Sequence, residues 1–359
     1  MREVNLNKEA LGWNESFETS FQPYAQQGMI VGRVYSQDRL GSLIYTDTGE
    51  VHAEVSGRLR YLAESRADYP AVGDWVAMTP PTATSQALIE AVLPRKSKFS
   101  RKVAGAKTEE QIVVANIDWI FLVSGLDQDF NVRRIERFLT LVRESGAQPL
   151  IVLNKVDKCA DRDQRLREVG AVAICVPIVC ISAKHGAGLG ALEPFLKKGE
   201  TISVLGSSGV GKSTLVNRLL GKELQRTQNV RDGDDRGKHT TRRRELMMLP
   251  SGAIMIDTPG MRELQLWATG DGIRETFEDI QTIAEDCYFR DCRHESEPSC
   301  AVLSALQNGT LDPSRFSSYR QLQSEIQLLE VRQNHRAQAV ERQRVKRLTQ
   351  IPKQKRKGW

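Results

Sequence analysis

The sequence predicts a multidomain chain with a small β-barrel, a doubly wound α/β domain, and an α-helical C-terminal domain that binds a metal. Short alternating runs of apolar residues predict the barrel, and strand patterns that alternate with amphipathic helix patterns predict the α/β domain. A cluster of Cys and His near the end predicts the metal site. The chain has 359 residues, of which 40% are hydrophobic and 27% charged. This length is enough for about two or three domains with ordinary cores.

The first part of the chain predicts an extension followed by the barrel. Residues 1–27 are polar with scattered aromatic side chains, and their pattern predicts no role. Five short alternating runs then span 29–35, 41–45, 51–55, 75–78 and 87–92. Strands this short, separated by turn residues, favour an OB-fold, although periodicity alone suits an SH3-like barrel nearly as well. We place the barrel at residues 28–105.

Basic side chains lie in and just after the predicted barrel. OB-folds commonly bind nucleic acid on one face. We therefore interpret these side chains as an RNA-binding surface, with a solvated charged surface as the alternative. They are Arg58, Arg60, Arg95, Lys96, Lys98, Arg101 and Lys102.

An α/β nucleotide domain is predicted from residue 106 to residue 268. Within it, apolar residues at helical spacing lie between a cap at Asn131 and a glycine stop at Gly146. That pattern is typical of a crossover helix. Strands that alternate with such helices indicate a doubly wound sheet, in which functional loops lie at the carboxyl ends of the strands.

A phosphate-binding loop of the form G-x-x-x-x-G-K-[ST] organises this domain. An apolar run at 201–205 precedes it and a helical pattern at 214–220 follows it, which is the strand-loop-helix context that the motif requires. Backbone N–H groups can surround the phosphates, while Lys212 bridges the outer phosphates and Ser213 binds Mg²⁺. The loop consists of Gly206, Ser207, Ser208, Gly209, Val210, Gly211, Lys212, Ser213 and Thr214.

Guanine is predicted as the base by the motif Asn154-Lys155-Val156-Asp157. A carboxylate at Asp157 can accept from the ring N–H and the exocyclic amine of guanine, whereas adenine would leave a buried charge unpaired. The segment Ser182-Ala183-Lys184 is typical of the loop whose backbone N–H contacts the guanine oxygen. Together these motifs predict GTP and GDP as ligands.

Two further segments predict the metal shell and the switch. Asp257 follows an apolar strand pattern and begins an Asp-Thr-Pro-Gly motif that ends at Gly260. Asp257 can hold the Mg²⁺ shell, and the Gly260 N–H can sense the γ-phosphate. We expect Thr241, in the segment Lys-His-Thr-Thr, to complete the coordination of Mg²⁺ together with Ser213.

Hydrolysis of GTP requires a group that orients the attacking water. Many GTPases have a glutamine directly after the Asp-x-x-Gly motif, but this chain has Met261, whose apolar side chain cannot do so. His239 is the nearest polar residue in sequence, in a charged loop that contains glycine. We predict His239, Thr241 and Lys212 as catalytic, with slow intrinsic turnover that a partner stimulates by ordering the loop.

The motifs follow one another in an unusual order. The guanine motif at Asn154 precedes the phosphate loop at Gly206, whereas in common GTPases the phosphate loop comes first. Such a circular permutation is physically permissible because every motif lies at the carboxyl end of a strand in one sheet. Neighbouring chain ends can then be rejoined without moving the site.

The C-terminal part, residues 269–359, predicts a helical domain with a structural metal site. After a helical pattern at 273–285 come four residues with metal-ligand spacing, Cys287, Cys292, His294 and Cys300. Three thiolates and one imidazole satisfy tetrahedral Zn²⁺ and leave no position open, so we predict one structural Zn²⁺ per chain. The alternatives are four unrelated residues, or a nearby acid in place of His294.

The other three cysteines lack ligand spacing. We predict that Cys159, Cys175 and Cys180 are buried small side chains.

In combination, these motifs closely resemble the bacterial ribosome small subunit-dependent GTPase A family. The resemblance rests on the permuted order, on Gly-Lys-His-Thr-Thr and Asp-Thr-Pro-Gly, and on the Cys/His cluster, and it covers roughly residues 28–320. It implies an OB-fold and hydrolysis of GTP to GDP and phosphate. It also implies that the partner is the small ribosomal subunit with its rRNA, and that the role is late maturation of that subunit.

The C-terminal tail is basic. From residue 331 to residue 359, ten Lys or Arg stand against one acid, in a chain whose net charge is only +6. A helix from about 317 to 348 would lie well against an anionic backbone, and a solvated helix with a disordered end is the alternative. Barrel, metal module and tail together predict structured RNA as the partner.

Location and rival functions complete the expectations. No run is long enough to span a bilayer, and the N-terminus lacks a basic and apolar export signal, so we expect a cytoplasmic monomer without a membrane partner. Two rivals stay open. One is an RNA-binding scaffold whose nucleotide site only stabilises the fold, and the other is a GTPase that acts on another structured RNA such as tRNA.

Overall fold

The computed structural model describes residues 7–38, 40–82, 85–102, 110–221, 245–257, 271–328 and 331. The strands are β1 (Ile30–Gln37), β2 (Ser42–Thr46), β3 (Gly49–Val55), β4 (Trp75–Met78), β5 (Ala87–Val92), β6 (Lys98–Lys102), β7 (Glu110–Ala115), β8 (Trp119–Gly125), β9 (Gln148–Asn154), β10 (Ile178–Cys180), β11 (Thr201–Leu205), β12 (Glu245–Met248) and β13 (Ile254–Asp257). The helices are α1 (Glu15–Ala25), α2 (Gly57–Leu62), α3 (Val132–Ser145), α4 (Arg162–Gly170), α5 (Lys212–Leu220), α6 (Asp271–Thr276), α7 (Glu278–Glu285) and α8 (Ala301–Gln307). A further helix, α9, begins at residue 313 and is described to residue 328.

Strands β1 to β5 form a closed barrel. They pair in the order β1-β2-β3-β5-β4, and β1 closes the ring by pairing with β4. The pair β3–β5 is parallel, and the other pairs are antiparallel. Each of the five predicted runs matches a strand to within about two residues at either end. A five-stranded closed barrel with this connectivity is OB-like, which decides against the SH3-like alternative.

The N-terminal segment packs against the barrel. Helix α1 places Phe17 and Phe21 in a core that also contains Leu11 and Trp75 of β4. The rings of Phe17 and Trp75 lie 5.9 Å apart between centroids. Residues 7–27, for which the sequence predicted no role, therefore extend the core of the barrel. The spacing of Phe17 and Phe21, four residues apart on a helix face, was the signal for this contact.

The α/β domain is a sheet with apolar side chains on both faces. Its strands lie in the order β10-β9-β8-β11-β13-β12, and β12 is antiparallel to the parallel rest. In β9, Ile151 and Leu153 face the core under α3, whereas Leu150 and Val152 face the core under α5. Apolar side chains at successive positions are what a parallel sheet covered by helices on both faces requires.

The two helices next to the nucleotide motifs begin near the predicted positions. The Asn131 side chain accepts from the Arg134 N–H and caps α3, which ends at Gly146 with a left-handed φ of 83°, as predicted. Helix α5 begins at Lys212, two residues before the predicted start, because the last residues of the phosphate loop already have helical geometry.

The barrel and the α/β sheet are continuous. Ser36 of β1 pairs with Glu245 of β12, so both parts belong to one eleven-stranded sheet. Strands β6 and β7 pair with each other across the domain boundary that we placed at residue 105. The barrel and the α/β domain are therefore connected by two strand pairings, β1 with β12 and β6 with β7.

A buried arginine lies at this junction. Arg33 of β1 donates to the carbonyl oxygens of Leu11, Gly73 (3.2 Å) and Asn116 (3.1 Å), and to Thr201 Oγ1 of β11 (2.9 Å). Burial lowers the pKa of Arg33 to about 10. One guanidinium thus connects the N-terminal segment, the barrel and the strand that leads into the phosphate loop.

The C-terminal helices enclose a separate core that includes Phe277, Val302 and Tyr319. The predicted helical segment over 273–285 is present but is divided into two helices, because α6 ends at Thr276 and α7 begins at Glu278. Between them, Phe277 leaves helical geometry with φ −117° and ψ 37°, and its fully buried ring enters this core.

The structure corrects two interpretations made from the sequence, one for Arg95 and one for three cysteines. Arg95, assigned to an RNA-binding surface, is mostly buried and donates to the buried carboxylate of Asp74 at 2.7 Å, so it stabilises the barrel instead. Cys175 is exposed, and Cys159 and Cys180 are half-buried, so the prediction that all three are buried was wrong.

Among the described residues, no helix is long and apolar enough to cross a membrane.

Candidate nucleotide site and metal centre

The phosphate loop connects β11 to α5 at one edge of the parallel sheet. Gly206 and Gly211 have positive φ values of 155° and 98°. A side-chain carbon at Gly206 would overlap the Val123 carbonyl, and one at Gly211 would overlap the Asn154 amide. Only glycine fits at both positions, because it has no side chain to block the close approach of the loop to these two neighbours.

The loop lysine lies across its own loop. Lys212 is the first residue of α5, and its Nζ donates to the carbonyl oxygens of Gly206 (2.8 Å) and Ser207. Ser208 and Gly209 form a turn, and Val210 and Gly211 connect it to the helix. An ammonium group held beside a helix N-terminus is suited to binding phosphate.

Asn154 brings three predicted motifs together. Its Nδ2 donates to the Val210 carbonyl oxygen in the phosphate loop (2.8 Å), and its Oδ1 accepts from the Ala183 N–H (2.9 Å). Asn154 itself is only 3% exposed. Both polar atoms of one buried amide are therefore satisfied by the other two motifs, which fixes the three loops relative to one another.

Asp157 carries the carboxylate that we assign to base recognition. Ser182 Oγ donates to Asp157 Oδ1 at 2.5 Å, and this hydrogen bond holds the pKa of Asp157 below its ordinary value. His185 Nε2 lies 3.7 Å from Asp157 Oδ2. Because its pKa is lowered, Asp157 is charged at neutral pH. Its side chain is 28% exposed and is therefore accessible to a ligand.

Helix α5 also holds the Ser182-Ala183-Lys184 segment. Arg218 donates from Nε to the Ala183 carbonyl oxygen (3.2 Å) and from Nη2 to the Lys184 carbonyl oxygen (2.8 Å). These contacts fix the carbonyl oxygens of the segment, while the Ala183 N–H donates to Asn154 and the Ser182 N–H donates to the Ala187 carbonyl oxygen (2.9 Å). The sequence did not indicate this role for Arg218.

The hydroxyl and carboxylate groups assigned to Mg²⁺ lie on neighbouring elements. Ser213 lies in the first turn of α5, and Asp257 ends β13, which runs parallel to β11. Ser203 Oγ of β11 donates to the Ile256 carbonyl oxygen at 2.8 Å and fixes the two strands next to Asp257. Oxygen donors of these kinds fit Mg²⁺.

Three predicted site residues, His239, Thr241 and Gly260, lie outside the described residues, as does Met261.

A further group of contacts joins the loop after β8 to the site. Lys155 Nζ donates to Asp127 Oδ2 at 2.5 Å, and Arg134 Nη1 donates to Ser207 Oγ at 2.7 Å. Sequence motifs did not identify Asp127 or Arg134. The available signal was an Asp-x-Asp pair directly after a strand of the parallel sheet, where functional loops collect.

The predicted metal ligands converge in the C-terminal domain. The ligand atoms of Cys287, Cys292, His294 and Cys300 all lie within 4.8 Å of one another. Cys287 Sγ lies 3.8 Å from Cys300 Sγ, and His294 Nδ1 lies 3.7 Å and 3.4 Å from these two sulfurs. Tetrahedral ligands at Zn²⁺ bond lengths would be about 3.8 Å apart for two sulfurs and about 3.5 Å for sulfur and nitrogen. The cluster therefore fits a tetrahedral metal ion.

Fold and site together define a circularly permuted P-loop nucleotide hydrolase with an appended barrel and a metal-binding helical domain. Residues 92–267 match the family model described as RsgA GTPase. A second model, for ABC transporters, matches residues 191–349, a range that includes the phosphate-binding loop common to both classes.

Relatives and solved structures agree with the first model. The chain is 46% identical to the small ribosomal subunit biogenesis GTPase RsgA of Opitutus terrae, over 88% of this chain and 89% of the relative. It is similar to the crystal structure of YjeQ from Thermotoga maritima, with a TM-score of 0.61, 28% identity, and coverage of 83% of this chain and 98% of that one. YloQ, a circularly permuted GTPase, has the same fold, with a TM-score of 0.60, 22% identity, and coverage of 83% and 95%. The chain belongs to the RsgA GTPase family and is a GTP hydrolase.

Proposed function

We propose that this chain binds the small ribosomal subunit and its rRNA, and couples hydrolysis of GTP to GDP and phosphate to the late maturation of that subunit. The names of the relatives support the partner. The observation that carries the GTP site is Asn154, whose amide joins the guanine motif, the Ser182-Ala183-Lys184 segment and the phosphate loop.

In this proposal each motif has a separate task. Asp157, with Asn154 and Lys155, reads the guanine base, and the backbone of Ser182, Ala183 and Lys184 contacts its oxygen. Residues 206–214 surround the phosphates, and Lys212 holds their negative charge. Mg²⁺, held by Ser213, Thr241 and Asp257, would neutralise charge that develops on the phosphates. The Gly260 N–H senses the γ-phosphate, and His239 orients the attacking water when a partner orders its loop.

The same proposal assigns the metal and the surroundings of the protein. The Cys/His cluster holds one Zn²⁺, and its role is structural because four protein ligands fill a tetrahedral shell. The protein acts in the cytoplasm as a monomer. The barrel, the metal-binding domain and the basic tail at 332–359, which lies outside the described residues, provide the surfaces for rRNA.

The base assignment can be tested by changing one atom of the site. Asp157→Asn replaces one carboxylate oxygen with an N–H donor, so we expect affinity to shift from guanine toward xanthine nucleotides. Binding of fluorescent GDP and XDP, measured by titration, checks this. Asp163→Asn is a matched control, because Asp163 is exposed on α4 and should leave both affinities unchanged. An Asp157→Asn variant that keeps its preference for GDP would contradict the assignment.

A rival function is an RNA-binding scaffold whose nucleotide only stabilises the fold. The complete set of phosphate-binding and magnesium-binding residues, Lys212, Ser213, Thr241 and Asp257, favours turnover over a purely structural nucleotide. A second rival, a GTPase that acts on tRNA, differs from the proposal only in the partner. Measuring which partner stimulates GTP turnover, small ribosomal subunits or tRNA, separates this second rival from the proposal.

A further inference from the structure

The loop between β8 and α3 lies beside both halves of the nucleotide site. It covers residues 126–131, and we name it the tie loop. At its start, the Leu126 N–H donates to the carbonyl oxygen of Asn154, the first residue of the guanine motif (2.8 Å). At its end, Asn131 caps α3. The backbone of the tie loop is thus fixed at both ends by elements of the α/β domain.

The base end of the tie loop is held by an ion pair. Asp127 Oδ2 accepts from Lys155 Nζ at 2.5 Å, with both side chains about three-quarters buried. Burial alone would raise the pKa of Asp127, but the hydrogen bond and charge of Lys155 outweigh it and lower the pKa. Lys155 has a left-handed backbone with φ 66°, so its side-chain partner helps to fix the turn that presents Asp157.

The phosphate end is held through an arginine. Arg134, in the first turn of α3, donates from Nη1 to Asp129 Oδ2 (2.7 Å) and to Ser207 Oγ (2.7 Å). The carbonyl oxygen of the same Ser207 accepts from Lys212 Nζ. Contacts therefore run without a gap from the lysine of the guanine motif, through the tie loop, to the lysine of the phosphate loop.

We propose that Asp127 and Arg134 are positioning residues that hold the base-reading and phosphate-holding motifs at the separation that GTP requires. The inference rests on the proposed GTP site. Both residues act through Lys155 and Ser207 rather than on the reacting atoms. A preorganised site avoids the cost of ordering these motifs when the nucleotide binds. Loss of that preorganisation weakens the binding of GTP and of the transition state by the same amount. It therefore raises KM and leaves kcat unchanged.

Steady-state hydrolysis of GTP by the full chain in the presence of small ribosomal subunits tests Arg134. We expect Arg134→Ala to raise KM about fivefold, as loss of one charged but partly exposed hydrogen bond would do, with kcat unchanged. Arg134→Lys keeps a charged donor and should recover part of the loss. Arg137→Ala is the control on the same helix, because Arg137 pairs with Glu325 of α9 and not with the loop, so KM should not change.

The outcomes separate a positioning role from a structural one. An unchanged KM in Arg134→Ala overturns the inference, and so does an equal rise in KM for Arg137→Ala. A lower kcat with unchanged KM would make Arg134 part of the catalytic step instead, which also contradicts the proposal. If Arg134→Ala does not fold, Arg134→Lys with a normal melting temperature still decides, since its KM must lie above that of the wild type.

A double-mutant cycle tests whether the tie loop acts as one connection. We expect Asp127→Asn and Arg134→Ala each to weaken GDP binding, measured by fluorescence titration, and the double variant to lose less than the two effects combined. Additive losses would mean that the two ends are independent and would overturn the inference. If the wild type itself did not bind GDP, the proposed function would fail. Wild-type binding with unaffected variants would defeat this inference alone.

Discussion

Single polar side chains decide how the nucleotide motifs are oriented. Asn154 satisfies both of its amide atoms within the site, and Ser182 donates to the carboxylate of Asp157. Such contacts follow from the motif residues, so the sequence predicted which residues converge. It could not predict Arg134 or Arg218, because their partners in the site lie 73 and 34 to 35 residues away in the chain and no local pattern encodes those pairs.

The protonation of Asp157 gives a prediction at this scale. Its pKa is lowered first by the Ser182 hydrogen bond and less by His185. Asp157 therefore contributes to stability above its unfolded pKa, and this contribution is lost as the pH falls through the lower folded value, below about pH 4. We expect Ser182→Ala to raise the pKa of Asp157 more than His185→Ala does, as measured by NMR titration of its carboxyl carbon. The opposite order would contradict the assigned cause.

His239 is the residue whose proposed role depends most on the chain's departure from other GTPases. With Met261 after the Asp-x-x-Gly motif, no glutamine is present there to orient water. We expect His239→Ala to lower the stimulated kcat by about 100-fold, the usual contribution of a positioned polar group, with unchanged GTP affinity. Single-turnover hydrolysis with small subunits measures this. A variant with normal stimulated turnover would remove His239 from the mechanism.

Among the elements, strands were predicted better than helix ends and tertiary contacts. The barrel strands and β11 follow from alternation or from a short apolar run, patterns that depend on neighbouring residues alone. The break at Phe277 depends on a core formed by distant segments, so local periodicity did not contain it. The packing of α1 did have a local signal, the spacing of Phe17 and Phe21, but its partners in the barrel core are distant in sequence. For the same reason Arg95 was interpreted as a surface cation although it pairs with Asp74.

Helix α3 is the element that contacts both the nucleotide site and the C-terminal domain. Arg134 reaches the phosphate loop, while Glu136, fully buried on another face, accepts from Arg315 at 2.6 Å. Arg315 also pairs with Asp279 of α7 at 2.6 Å. Buried charges of this kind are costly to separate, so the C-terminal domain is firmly attached to the nucleotide domain through α3.

The metal-binding element gives a second stability prediction. The segment from Cys287 to Cys300 contains no regular helix or strand between α7 and α8, and Cys300 caps α8 through its Sγ. Metal binding there serves as folding energy. We expect Cys292→Ser to release the bound Zn²⁺ and to lower the melting temperature of the C-terminal domain, whereas Cys175→Ser, at an exposed cysteine, should change neither. Zinc content measured by mass spectrometry decides, and unchanged stoichiometry in Cys292→Ser would refute the assignment.

At the scale of the whole molecule, the barrel and the nucleotide domain are joined into one sheet and share a buried cation. Arg33 donates to acceptors in the N-terminal segment, the barrel and β11. We expect Arg33→Ala to lower the free energy of unfolding by about 3 kcal/mol, because buried acceptors lose their donor. Urea unfolding measures this, with Arg58→Ala at an exposed position as a control that should stay within about 0.5 kcal/mol. An equal effect in both variants would mean that Arg33 does not hold the two parts together.

The central claim, that small ribosomal subunits switch on this GTPase, is tested most directly by one measurement. GTP hydrolysis by the purified protein would be measured alone and with isolated small subunits, large subunits or bulk tRNA. We predict slow turnover alone and strong stimulation by small subunits only. Equal turnover under all conditions, or stimulation by tRNA instead, would contradict the account.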